Sequence, residues 1–152
     1  MTAKEFLNQP FELYCRINDK KVRADCYRQM AGSVSSPGFE EHYSSSRNTR
    51  APFERYLEKA YELEDEIAVD EEKLERLKTE VSIAIDKLDE PNAQLLLHYR
   101  YVMFMTMPKI SVEMNYCLSW TKKIHRKALE EFEKRYPQDT PKILPVHGHH
   151  AL

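Results

Sequence analysis

Residues 53–88 read FERYLEKAYELEDEIAVDEEKLERLKTEVSIAIDKL. Within them Phe53, Tyr56, Ala60, Leu63, Ile67, Asp70, Leu74, Leu77, Val81, Ala84 and Leu88 recur at alternating steps of three and four, and only Asp70 is polar. A period of 3.5 held over this length is a coiled-coil seam, and at about 1.5 Å per residue the helix runs on the order of 50 Å. Pro52 suits its first turn, where a missing N–H costs nothing. From Phe53 to Glu90, fourteen acidic residues outnumber six basic ones, so the helix is strongly acidic. Its seam needs a cover: a second helix folded back on it, a second copy of the chain, or both. Asp70 is either a register device or a defect open to water.

Working outward toward the N-terminus, Leu13, Ile17, Ala24, Tyr27 and Ala31 follow the same spacing, with Lys20 in the missing slot. This predicts a helix from about Lys4 to Ala31 with Pro10 near its start. Residues 32–50, GSVSSPGFEEHYSSSRNTR, read as a polar loop with no element of their own. The expected first unit, residues 1–90, is therefore a coiled-coil helical hairpin.

Toward the C-terminus, Asp89-Glu90-Pro91-Asn92 breaks the pattern, because the residue before a proline is pushed out of the α region. The charge then changes sign: Arg100, Lys109, Lys122, Lys123, Arg126, Lys127, Lys134 and Arg135 outnumber the acids as far as Tyr136. Ala93, Leu96, Leu97, Tyr101, Phe104 and Met105 mark the apolar side of one helix. Pro108 opens a short second helix, with Ile110 and Met114 facing inward and the small Ser111 suited to a close crossing. Asn115 follows, a residue type that tolerates the left-handed conformation of a tight turn. A third helix runs from about Leu118 into Phe132. At about 100° per residue, Thr121, Ile124, Ala128 and Phe132 share one side, while Ser119, Lys122, Lys123 and Arg126 share the opposite one. A short helix, a tight turn and a helix with an apolar back and a cationic front make a helix-turn-helix able to lie in a major groove. Residues 91–136 are the expected DNA-reading module, and 137–152 a disordered, proline-rich tail.

Composition narrows the classes. The chain of 152 residues has three glycines, 32% charged residues, a net charge of −2 and a mean hydropathy of −0.68, which fits an all-α chain. No run reaches about 18 uncharged apolar residues and the first residues hold no signal-type apolar stretch, so a cytoplasmic setting is expected. Cys15, Cys26 and Cys117 lack CxxC spacing and read as reduced thiols. His147, His149 and His150 lack a fourth ligand, so no metal or other cofactor is expected. The chain contains no P-loop, GxSxG or HExxH, and His125 has no triad partner at readable spacing; no catalytic residue and no enzyme are expected.

Residues 95–134, LLLHYRYVMFMTMPKISVEMNYCLSWTKKIHRKALEEFEK, resemble the region-4-type helix-turn-helix of sigma-70 factors. They resemble still more the phage late-gene regulators of the ArpU/RinA type and their phage relatives. The resemblance rests on Arg100-Tyr101, on Ile110-Ser111 with Met114, on Tyr116, and on Trp120 with Ile124-His125-Arg126 and Ala128-Leu129. Upstream it extends to a helical N-terminus, the SSSRN segment (44–48) and a long acidic helix, so that it covers about Lys4 to Lys134. Asn115 stands where the family has glycine, Cys117 where it has a hydroxyl cap, Thr121 where it has an apolar residue, and Leu118 where sigma factors carry a base-contacting arginine.

The resemblance implies a phage-encoded transcriptional regulator, acting on late or packaging genes in a bacterial host cell. By it, Leu118, Ser119, Lys122 and Lys123 face base edges, and Lys109, Arg126 and Lys127 face phosphates of double-stranded DNA. The acidic hairpin would contact host RNA polymerase or form a homodimer. Two rivals are a small subunit of a phage terminase, which joins similar elements in DNA packaging, and a helical adaptor without DNA affinity. Trp120 reads as a packing residue at the edge of the module.

Overall fold

The computed structural model describes residues 1–34 and 50–137, and among these it is all-α. Five α-helices follow in order: α1 (Ala3–Val34), α2 (Arg50–Asp86), α3 (Pro91–Leu97), α4 (Met107–Met114) and α5 (Leu118–Arg135). A π-helical turn, His98–Val102, continues α3. The segment expected to be a loop lies outside the described residues from 35 to 49, as does the expected tail from 138 onward.

Thr2 and Glu5 start α1 reciprocally: the Glu5 N–H donates to Thr2 Oγ1 at 3.2 Å and the Thr2 N–H to Glu5 Oε2 at 2.7 Å. Two turns thus form ahead of Pro10, which lies buried inside α1 instead of near its start. The buried Phe6 and Leu7 hold those turns in place against the cost of the missing N–H.

The chain divides into two compact units, and the division is not at 90/91. One unit comprises Leu13–Lys73; the other comprises Met1–Glu12 together with the chain from Leu74. In the Leu13–Lys73 unit, α1 and α2 run antiparallel. Arg28 meets Glu64, Lys20 meets Glu66 and Asp70, and Lys21 meets Glu71, so partners rise along one helix as they fall along the other. Leu13, Ile17, Ala24 and Ala31 bury their α1 face, and Ala60 and Ile67 bury the facing stripe of α2. The two polar seam positions meet: Lys20 Nζ donates to Asp70 Oδ2 at 2.6 Å, with both side chains about one-fifth exposed. Asp70 is therefore paired within the chain.

The other unit has one continuous core. Phe6 and Leu7 of α1, Val81, Ala84 and Ile85 of α2, Leu88, and Ala93, Leu96, Leu97, Tyr101, Met105, Ile110, Ala128 and Phe132 are all buried. Phe132 stacks on Phe6 with ring centroids 5.9 Å apart and contacts Tyr136 at 4.8 Å. The expected module therefore has no core of its own: the beginning of α1 and the end of α2 supply part of it. The seam members Leu74, Val81, Ala84 and Leu88 are likewise buried here, although α2 ends at Asp86 and Leu88 lies beyond it. Phe53, Tyr56, Leu63 and Leu77 of the seam are half-buried, so the chain covers much of the surface that was the argument for a homodimer.

Phe104 departs from its expected helical place. The π-helical turn ends at Val102, and Phe104 takes φ 59°, a strained conformation for a bulky residue. Its ring meets Phe11 edge-on at 5.5 Å, with Lys78 Nζ 5.2 Å from its centroid. The Arg100 guanidinium, donating to the Met105 carbonyl at 3.0 Å, closes the loop.

Candidate nucleic-acid interface

The interface is built on α4, a tight turn and α5. Thr106 caps α4 by accepting from the Lys109 N–H, and Pro108 occupies its first turn. Ile110 and Ser111 are buried, and Ser111 Oγ donates to the Pro108 carbonyl at 2.6 Å, which satisfies a hydroxyl placed at a close crossing. Asn115 then adopts the left-handed conformation, φ 57° and ψ 39°. The Tyr116 N–H reaches the Ser111 carbonyl at 3.0 Å and the Asn115 N–H the Val112 carbonyl at 3.2 Å, a Schellman closure. The turn expected from Asn115 is therefore present, and it sets the direction in which α5 departs.

The back of α5 is anchored through Thr121, Ala128 and Phe132, each fully buried. Thr121 tolerates an apolar site because its Oγ1 donates to the Cys117 carbonyl at 2.9 Å. Ile124, expected beside them, is only half-buried. His125 sits at the core edge, with Nε2 2.8 Å from the Tyr101 hydroxyl and the two rings stacked at 5.8 Å. Burial lowers the His125 pKa, and Arg100 and Lys4 nearby lower it further. Burial also raises the Tyr101 pKa, so the pair is neutral near pH 7 and pins α5 to the π-helical turn.

The front of α5 is exposed: Leu118, Ser119, Lys122, Lys123 and Arg126 all face solvent, as do Lys127 and, on α4, Lys109. The structure thus places Ser119, Lys122, Lys123 and Arg126 on one face, as their spacing predicts. Lys127 lies to one flank with Nζ 5.9 Å from the Trp120 ring centroid. Among the described residues, none of these five cations lies within 4.0 Å of a carboxylate. Lys122 with Arg126, and Lys123 with Lys127, are like charges four apart on one helix, which is locally destabilising.

Two further features of α5 favour an anion. Its N-cap, Cys117, makes no side-chain capping bond, and its first turn holds no acid, so the N–H groups of that turn keep free valence. Lys122 and Lys123 follow in the second turn, and Arg126 and Lys127 lie at the middle of the helix. Phosphate oxygens meet all of these demands at once.

Sequence reasoning placed Trp120 at the edge of the module but did not show the groove there. Trp120 is 45% exposed, and with Tyr116, Ile124, Ala93 and Ala128 it lines a groove of about 460 Å³ beside the cationic face. Its sequence signal was its position, one helical step outside the apolar stripe. Among the described residues no group of three or more His, Cys, Asp or Glu side chains could hold a metal ion, and no helix is long and apolar enough to cross a membrane. Comparisons with protein-family models, with curated proteins and with solved structures found no significant match to this chain.

Proposed function

We propose that this chain binds double-stranded DNA through a helix-turn-helix formed by α4, the Asn115 turn and α5, and that it acts as a phage-type transcriptional regulator. The observation that carries the reading is the unpaired cationic face of Lys122, Lys123 and Arg126 on a helix whose opposite side is locked into the core. In this reading Lys109, Arg126 and Lys127 bind phosphates and so position the module. Leu118, Ser119, Lys122 and Lys123 reach base edges in the major groove. Control of late or packaging genes, and contact with host RNA polymerase, are what the family resemblance adds to this.

The test is selection of duplex fragments from the source genome by the full chain, at physiological salt. Enrichment of one or a few discrete sites is expected, and recovery no better than that of random fragments contradicts the proposal. A homodimer through the rest of the seam is compatible with this reading but not required by it. Sedimentation of the bound species separates the packaging alternative: an assembly many times the 18.0 kDa chain mass identifies a ring-forming terminase subunit.

A further inference from the structure

The groove beside the cationic face has a chemistry unlike that face. Its floor is apolar, formed by Ala93, Ile124, Ala128 and the rings of Tyr116 and Trp120. Its rim is acidic: Glu90 and Glu131 border it, and neither pairs with a cation among the described residues. Glu131 is already positioned, because the Asp89 N–H donates to its Oε1 at 3.1 Å. Asn92 Nδ2 reaches the Tyr116 hydroxyl at 3.4 Å and steadies the ring on the opposite wall. The single cation bordering the groove, Lys127, is engaged over the Trp120 ring.

We infer that this groove is a docking site for a peptide segment of a partner protein that inserts an aliphatic side chain flanked by lysine or arginine. The volume of about 460 Å³ suits one or two side chains and falls within the range of small ligand sites. An exposed tryptophan lining a concave apolar groove is a residue type that often anchors a protein interface. Charge complementarity selects the occupant: two carboxylates with no cation partner attract a basic peptide and repel the phosphates of DNA. Trp120 and Lys127 stand between the groove and the face of Lys122, Lys123 and Arg126, so a peptide here leaves that face open to a duplex. The inference does not rest on DNA binding, and either can fail without the other.

Trp120 is the only tryptophan in the chain, so its emission reports on the groove directly. The probes are the blocked tetrapeptide amide Arg-Leu-Leu-Arg and its charge-reversed counterpart Glu-Leu-Leu-Glu, neither of which emits, titrated into the full chain at low salt. The basic peptide should blue-shift the Trp120 emission saturably, and the acidic one should not. Glu131→Gln should weaken the basic peptide several-fold while leaving duplex binding unchanged, and Ile124→Ser should abolish the shift. No response to millimolar basic peptide overturns the inference, as does an equal response to both peptides. A response only to duplex DNA also overturns it, and assigns the groove to the nucleic-acid interface.

Discussion

The two compact units use their cations in opposite ways. In the Leu13–Lys73 unit, Lys20, Lys21 and Arg28 of α1 each meet a carboxylate of α2, at 2.6, 3.0 and 2.7 Å. Lys59 of α2 lies 5.3 Å from the Tyr27 ring centroid, on the other helix. On α5, Lys122, Lys123 and Arg126 meet no carboxylate among the described residues. The first set holds two helices in register. The second set works slightly against its own fold, through like-charge spacing. Charge that an assembly needs is neutralised inside it, whereas charge left unpaired on a well-anchored helix is available to a partner.

The largest effect should come from removing the anchor that makes this contrast possible. Phe132→Ala should cost about 3–5 kcal/mol, most of the stability of a small unit. Chemical denaturation followed by circular dichroism should show the loss. Because Phe132 packs on Phe6 and shares a core with Val81 and Ile85, the ends of α1 and α2 should melt with α5. Independent survival of those ends would break the account of one core.

Next in size, Lys122→Ala with Arg126→Ala should reduce duplex affinity by roughly two orders of magnitude, about 1.4 kcal/mol for each lost charge-assisted contact. Helicity should be intact and thermal stability unchanged or slightly raised, since a like-charge pair is gone. A fall in stability together with affinity would mean that these cations serve the fold after all.

The hairpin side of the comparison is sharpened by Lys20 and Asp70. Lys20→Met alone should lower the melting temperature, because it leaves Asp70 facing an apolar seam; adding Asp70→Leu should restore it. The hydrogen bond from Lys20 to Asp70 raises the Lys20 pKa above its ordinary value, against a smaller effect of burial. The stabilisation is therefore complete below the unfolded value near 10.4 and is lost as pH rises through the higher folded value. Melting curves between pH 9 and 12, with and without the double substitution, check the sign.

The smallest effect concerns His125. Its folded pKa lies below the unfolded value of about 6.5, so the unfolded chain takes up the proton first. Stability is complete above that value and declines as pH falls toward the lowered folded pKa. His125→Gln should flatten this part of the pH profile, measured as melting temperature from pH 7.5 to 5.

Much of this was legible in the sequence, and the misses share a cause. Periodicity and turn chemistry are local, so the long α2, the left-handed Asn115 and the opposed faces of α5 could be read directly. The pairing of Lys20 with Asp70 could not, because two polar interruptions fifty residues apart look like separate defects until the helices are brought together. The unit boundary was misplaced for the same reason: Pro91 marks a break in the helix, but not a break in the core that Phe6, Val81 and Phe132 share. The groove beside Ile124 and Trp120 was not legible, because a helical wheel ranks residues by angle and does not show what α3 leaves open beside that edge.

The central claim, that the unpaired face of α5 is a phosphate-binding surface, is tested most directly by the salt dependence of duplex binding. With the full chain and a selected genomic duplex, log affinity should fall linearly with log salt, with a slope of about −3 for the three phosphate-binding cations Lys109, Arg126 and Lys127. In the protein carrying both Arg126→Ala and Lys127→Ala the slope should be shallower by about two. An unchanged slope in that protein, or no duplex binding at low salt by the unaltered chain, would contradict it.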